Sequence, residues 1–210
     1  VLACGDEPTP FLALAWIEEG PRHLADEEAF GRSLAALHRA GATSYGRTDR
    51  RTTGSRRLPN EPADGWADFY GSQRLAPLAR LARDAGALPP AAISDLDRLA
   101  GRLERFDTGE APSRLHGDLW AGNRLVDVRG TSWLIDPAAH GGHREFDLAM
   151  MRLFGGFAEA AFSAYADAHP LAPGWEERIA LHQVAPLVVH SIKFGGGYVG
   201  AATDAIGRYV

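Results

Sequence analysis

The sequence predicts an α+β fold: a mostly helical body with one β-hairpin set into it and a remnant of a small sheet at its start. Three observations predict this. From about Glu145 to the end, apolar residues recur at helical spacing, broken at Gly155-Gly156, His169-Pro170 and Gly195-Gly196-Gly197. Residues 124–128 and 131–135 are short strand-like runs around the turn Arg129-Gly130, which reads as a hairpin. Residues 1–4 and 11–17 are two apolar runs joined by the turn-rich Gly5-Asp6-Glu7-Pro8.

Taken in order, the second of those opening runs, Phe11 to Ile17, is the stronger strand candidate, and Gly20-Pro21 stops it. Asp26 is the expected cap of a helix to about Ala40. Phe30, Leu34, Leu37 and His38 lie along one face of it, and Gly41 ends it. Residues 43–63 form a polar loop with Arg47, Arg50, Arg51, Arg56 and Arg57. A solvated loop is the plain reading of that cluster, and a phosphate-bearing or anionic partner is the sharper one. Two helices are expected at about 64–83 and 91–105, the second after Pro89-Pro90. No repeat or low-complexity tract interrupts the chain.

The 210 residues suit one large domain, or one domain with part of another. Hydrophobic residues make up 45% and charged residues 23%, a balance that supports a core without metal or disulfide staples. Lys plus Arg number 22 and Asp plus Glu 27, giving a net charge of −5 and no whole-molecule case for nucleic acid or an anionic membrane. The single Cys4 excludes an internal disulfide and a cysteine-based zinc site, and fits a reducing compartment. No apolar run approaches a membrane span. The expected setting is therefore cytoplasmic. The chain starts at Val1 and its methionines are Met150 and Met151, so a segment before Val1 is expected in the parent protein.

The hairpin carries the chemistry: His116-Gly-Asp-Leu-Trp-Ala-Gly-Asn123, then Ile135-Asp136-Pro137. Phosphoryl transfer needs a group that orients the attacking hydroxyl and oxygen ligands that hold Mg²⁺ on the phosphates. Asp118 in the loop suits the first task. Asn123 begins the first strand and Asp136 ends the second, so the hairpin brings together two oxygen donors fit for a hard cation.

This text resembles the fructosamine (ketosamine) kinases, within the aminoglycoside phosphotransferase and protein-kinase-like superfamily. The similarity runs from His116 through Gly-His-Arg-Glu-Phe-Asp-Leu-Ala to Phe157, and continues at Tyr165, Trp175 to Arg178, His190 and Phe194-Gly195-Gly196. Upstream, Phe11-Leu12, Trp16 to Glu18 and Leu58-Pro59-Asn60 also match. The resemblance implies a protein-kinase-like fold, mostly its helical C-terminal lobe (19–210, catalytic hairpin 115–137) with the end of the small lobe and the hinge (1–18). It implies ATP and Mg²⁺ as cofactors, and a small-molecule or protein-bound ketosamine phosphorylated on a sugar hydroxyl. By the same likeness Asp118 is catalytic, and Asn123 and Asp136 ligate magnesium. Asp147 and His116 support the catalytic loop. Ala15, Trp16, Ile17 and Glu18 form the hinge against adenine, and Trp120 and His190 contact substrate. The Gly-rich phosphate loop, strand lysine and helix glutamate of such kinases are not found in residues 1–15, and Lys193 is the only lysine. The 210 residues alone are therefore expected to fold, to associate, and to turn over poorly.

Other readings stand beside these. Trp120 is either a stacking platform or core, and His190 either a substrate contact or a satisfied core histidine. His116, His140 and His143 suggest a zinc cluster, but on a Gly-rich loop without cysteine this is the weaker reading. Gly195 to Gly200 matches G-x-G-x-x-G, yet a helical pattern precedes it and the chain ends ten residues on, so a helix break explains it better. Arg144 and Glu145 are an internal ion pair or a substrate clamp. An aminoglycoside- or choline-type kinase, a non-catalytic scaffold and a metal-dependent hydrolase are the rival functions.

Overall fold

The computed structural model describes residues 1–49, 52–54 and 56–210. Arg50 and Arg51 of the arginine cluster lie outside the described residues. The chain opens with an antiparallel pair, β1 (Ala3–Gly5) and β2 (Phe11–Ala13), in the register Ala3 opposite Ala13. The strand is shorter than the apolar run predicts. From Leu14 to Glu18 the chain is unpaired, and it next touches the body where Gly20 N–H donates to Val126 O at 2.9 Å.

Helix α1 (Leu24–Arg39) starts two residues before the expected cap. His23 is the N-cap, and Asp26, in the first turn, accepts from the His23 backbone N–H at 2.8 Å. Asp26 thus serves the same helix end from the other side of a capping box. Gly41 ends the helix as expected, with φ +69°. After α1 come a two-residue pair, β3 (Thr52–Thr53) and β4 (Leu58–Pro59), then α2 (Trp66–Tyr70). A π-helical turn at Gly71–Leu75 leads into α3 (Ala76–Asp84), and α4 (Pro90–Ala100) follows. The helix expected over 64–83 is thus one rod with a widened turn. Pro77 explains it: lacking an N–H, Pro77 cannot serve the Gln73 carbonyl, which accepts from Arg74 Nη1 at 3.0 Å instead.

Two three-residue strands, β5 (Ser113–Leu115) and, after the hairpin, β8 (His140–Gly142), pair antiparallel across the catalytic loop with Leu115 opposite His140. The hairpin between them is β6 (Arg124–Val126) and β7 (Ser132–Leu134), with Arg124 opposite Leu134. Helices α5 (Glu145–Phe154), α6 (Glu159–Ala168), α7 (Trp175–Phe194) and α8 (Gly197–Gly207) complete the chain, broken where the sequence predicts. Gly195 and Gly196 take φ of +62° and +57° between α7 and α8, a helix break and not a dinucleotide turn. Among the described residues no helix is long and apolar enough to cross a membrane.

Two cores flank the hairpin. One joins α2, α3 and α4 to α7 and α8, and the other joins α1, α5 and α6 under Leu119. Helices α1 and α6 approach at Gly31, where a Cβ would lie 2.1 Å from Ala161 O. The neighbour is backbone and cannot swing aside. Gly31→Ala should therefore cost roughly 1–3 kcal/mol through forced separation of the helices. Urea unfolding checks this, and an unchanged midpoint would refute the close approach.

The hairpin is tied to α1 by a buried pair. Arg124 Nη1 donates to Glu27 Oε1 at 2.7 Å, its guanidinium lies 4.1 Å from the Phe30 ring centroid, and Glu27 Oε2 accepts from Ala158 N–H. Removing either partner would leave a buried charge.

Candidate active site

The catalytic loop, 116–123, is held from below by one carboxylate. Asp147, fully buried at the start of α5, accepts from the backbone N–H of His116 at 2.7 Å and of Gly117 at 2.9 Å. Its third donor is His38 Nε2 at 3.1 Å, and His38 Nδ1 meets the Tyr165 hydroxyl at 2.8 Å. With Nε2–H facing the carboxylate, Nδ1 accepts from Tyr165. Burial alone would raise the Asp147 pKa, but the His38 bond and the Gly117 amide hold it below the ordinary carboxylate value. Gly117 has φ +82°, and a Cβ there would lie 2.3 Å from Ala138 O, so only glycine fits this turn.

His116 braces the loop sideways. Its Nε2–H donates to Ile135 O at 2.9 Å, and its Nδ1 accepts from Asp118 N–H at 3.3 Å. The ring thus ties the loop to the end of β7, and both of its nitrogens are engaged. Asp118 stands half-buried at the loop's crest. Burial pushes its pKa up, and the Asp136 charge adds to that, while His116, His190 and the Asn123 amide pull the other way.

Asn123, buried at the foot of β6, donates from Nδ2 to Asp118 O at 2.9 Å and to Asp118 Oδ2 at 3.4 Å. The ladder runs one step past β7, with Ile135 N–H donating to Asn123 O at 3.0 Å, so Asp136 leaves the hairpin beside Asn123. Asp136 has φ +50°, a left-handed pose that is uncommon for a non-glycine and turns the chain out of β7. Among the described residues no ion pair engages its carboxylate. The donor set is hard oxygen throughout and fits Mg²⁺.

A cavity of about 540 Å³ opens beside Asp118. Trp120, Phe154, His190 and Tyr198 form its aromatic wall. Trp120 is 44% exposed, edge-on to Phe154 at 6.4 Å, and its indole lies over Gly122, where a Cβ would come within 2.3 Å of the ring. His190 lies 5.2 Å from Phe154 and 5.0 Å from Tyr198 by ring centroids, and its Nδ1–H donates to Pro186 O. Both Trp120 and His190 line the same cavity as Asp118. Phe154, Tyr198, Arg74 and Lys193 also line this cavity and were not among the site residues the sequence suggests, whereas Arg56, which lines it too, belongs to the arginine cluster for which an anionic partner was one reading. Lys193 lies one turn from His190 on α7, a spacing that could have found it, whereas Phe154 on α5 and Tyr198 on α8 carried no such signal. Arg74 had no such signal.

The remaining candidates are structural. Arg144 binds Glu110 at 2.6 and 2.8 Å, and Glu145 binds Arg178 at 2.9 and 2.6 Å, so each makes an internal ion pair with a partner other than its neighbour. His140 donates from Nδ1 to Ala138 O, and His143 meets Thr108 Oγ1 at 2.9 Å. Among the described residues neither joins His116 in a metal-sized cluster. Burial pushes His140 down to about 4 and His143 to about 3. The unfolded chain takes up these protons below about pH 6.5, the ordinary imidazole value, while the native rings stay neutral. Stability should thus be full above pH 6.5 and decline as pH falls toward 4 and 3. Urea unfolding at pH 7, 5.5 and 4 checks the sign, and a flat or rising profile would contradict it.

Ala15 to Glu18 run free of backbone hydrogen bonds among the described residues, and Trp16 is 91% exposed.

Comparison with known proteins agrees with this architecture. The chain matches the fructosamine kinase family model over residues 1–210. It is 37% identical over 192 residues to a probable ketoamine kinase of Synechocystis, covering 90% of this chain and 63% of that protein. A probable ketoamine kinase of Lactiplantibacillus plantarum is 36% identical over 209 residues, 98% of this chain and 73% of that one. The crystal structure of a fructosamine-3-kinase candidate from Thermobifida fusca superposes with a TM-score of 0.87 at 42% identity, over 92% of this chain and 68% of that one. The choline kinase LicA of Streptococcus pneumoniae, 17% identical with a TM-score of 0.55, shares the fold alone. The chain spans about two thirds of the length of the relatives it matches. With the whole of its own length matched by that one model, the chain belongs to the fructosamine kinase family.

Proposed function

We propose that the protein transfers a phosphoryl group from ATP to a sugar hydroxyl of a ketosamine, with residues 1–18 ending a small lobe and carrying the hinge, and 19–210 forming the helical lobe. The observation that carries the reading is the half-buried Asp118, set between an aromatic-walled cavity on one side and the oxygen donors Asn123 and Asp136 on the other. Mg²⁺-ATP, when bound, supplies a phosphoryl group whose developing charge is neutralised.

This chain's residues do the rest. The open peptide groups of Ala15, Trp16, Ile17 and Glu18 receive adenine, and Asn123 and Asp136 would hold the metal. Trp120 and His190 place the sugar so that a hydroxyl points at Asp118. The Asp118 carboxylate accepts that hydroxyl's proton as the oxygen attacks. A pKa raised by burial brings Asp118 toward the range where a base both stays ionised near pH 7 and takes a proton readily. Asp147 and His116 keep the carboxylate in place and take no part in proton transfer. The names of the ketoamine kinase relatives support a ketosamine over other acceptors.

An acceptor panel with the full chain tests this. Fructosyl-amine should be phosphorylated with Mg²⁺ and ATP, and choline and aminoglycosides should not. Preference for choline or an aminoglycoside would move the protein to the rival class.

A further inference from the structure

The cavity beside Asp118 carries an excess of positive charge, and among the described residues none of its three cations is paired with a carboxylate. Arg56 reaches it from the segment between β3 and β4, Arg74 from the π-helical turn, and Lys193 from α7, one turn beyond His190. Asp118 is the one carboxylate among the described residues that line it.

Arg74 is the most telling. The other two buried arginines each hold a carboxylate, Arg124 that of Glu27 and Arg144 that of Glu110. Among the described residues Arg74 holds neutral groups only: Nη1 donates to Pro59 O and Gln73 O, Nη2 to Asn60 Oδ1 at 2.7 Å, and the Phe69 ring lies 4.5 Å away. Burial accordingly pushes its pKa down to about 10, with no carboxylate raising it. A buried cation without a counter-ion is costly, and such groups mark functional sites more often than chance. On the same cavity Arg56 has, among the described residues, a buried Nε with no hydrogen-bond partner, and Lys193 is exposed with its ammonium 5.3 Å from the Phe194 ring. Two cations are thus available, and Arg74 lines the same cavity. His140, also on the wall, is held neutral by burial and adds no charge.

We propose that the acceptor carries a carboxylate on its amine-derived part, received by Arg56 and Lys193 in the cavity that Arg74 also lines, while its sugar hydroxyl faces Asp118. This rests on the reading of Asp118 as the acceptor site. The preferred ketosamines are then those of amino acids or short peptides that keep a free carboxylate on the amine-derived part. Simple amine adducts bind less well.

Steady-state kinetics on the full chain would compare the ketosamines of glycine, 4-aminobutyrate and propylamine. One charge-assisted contact predicts a KM at least about tenfold lower for the better carboxylate-bearing acceptor than for the propylamine adduct. In Arg56→Ala/Lys193→Met that ratio should fall to near one. Arg74 is left intact because it also anchors Asn60. Equal KM values in the native protein, or a loss in the double variant shared equally by charged and neutral acceptors, would overturn the proposal while leaving ketosamine phosphorylation standing. The second result would mean that the cations serve the transferred phosphate. Failure to phosphorylate any of the three would sink both readings.

Discussion

Asp118→Asn is expected to lower kcat by roughly 10²-fold or more, the usual scale for a lost general base, with little change in the KM for ATP. The substitution keeps the side chain's size. It also keeps the bond that Asn123 Nδ2 makes to the Asp118 carbonyl oxygen, so the loop should hold its shape. What goes is the charge facing the acceptor cavity. Steady-state kinetics with saturating ketosamine separates the two parameters. A variant retaining more than a tenth of the native kcat would remove Asp118 from the chemistry.

The largest effect on stability is expected at Asp147→Ala. One carboxylate there satisfies two backbone amides of the catalytic loop and the buried His38 ring. Alanine leaves all three donors buried without an acceptor. A buried donor left without an acceptor costs about 1–3 kcal/mol, so the loss of all three should reach several kcal/mol. The urea midpoint should fall accordingly, and activity should fall with it because the His116-Gly117 turn loses its support. A loss below ~1 kcal/mol would mean that the loop is held by its neighbours instead. Tyr165→Phe, one bond further out, should cost far less, about 1 kcal/mol, since it removes one hydrogen bond to His38.

The catalytic hairpin was legible because its signals are short in range. A turn at Arg129-Gly130 sets the register, and register alone puts Asn123 next to the end of β7. The helices from α5 onward were legible for a similar reason, each bounded by glycine or proline. The strands β5 and β8 were not. They are three residues long, they pair across the whole catalytic loop, and His140-Gly141-Gly142 has no side-chain alternation to reveal it. Gly141 lies with its absent Cβ 1.9 Å from Ser44 O, so its glycine is a packing requirement that sequence pattern alone reads as a loop.

The site divided the same way. Asp118, Asn123, Asp136 and Asp147 sit where the motif puts them. The His38 brace and the Arg124–Glu27 tie depend on α1 crossing behind the hairpin, a tertiary fact with no local trace. The cap of α1 was displaced from Asp26 to His23 because a capping box places its acid three residues inside the helix. The arginine cluster of 47–57 proved mixed. Arg47 is bound to Asp49 and to Ala139 O at the surface, whereas Arg56 turns into the cavity.

The central claim is that the cavity beside Asp118 receives the sugar, and a structure of the full chain with a ketosamine and a non-hydrolysable ATP analogue tests it most directly. The account predicts one sugar hydroxyl within about 2.6–3.2 Å of the Asp118 carboxylate, the reach of a general base. It also predicts the ring against Trp120 and His190, and the metal on Asn123 and Asp136. A ketosamine bound outside this cavity, or one whose hydroxyls all point away from Asp118, would contradict it.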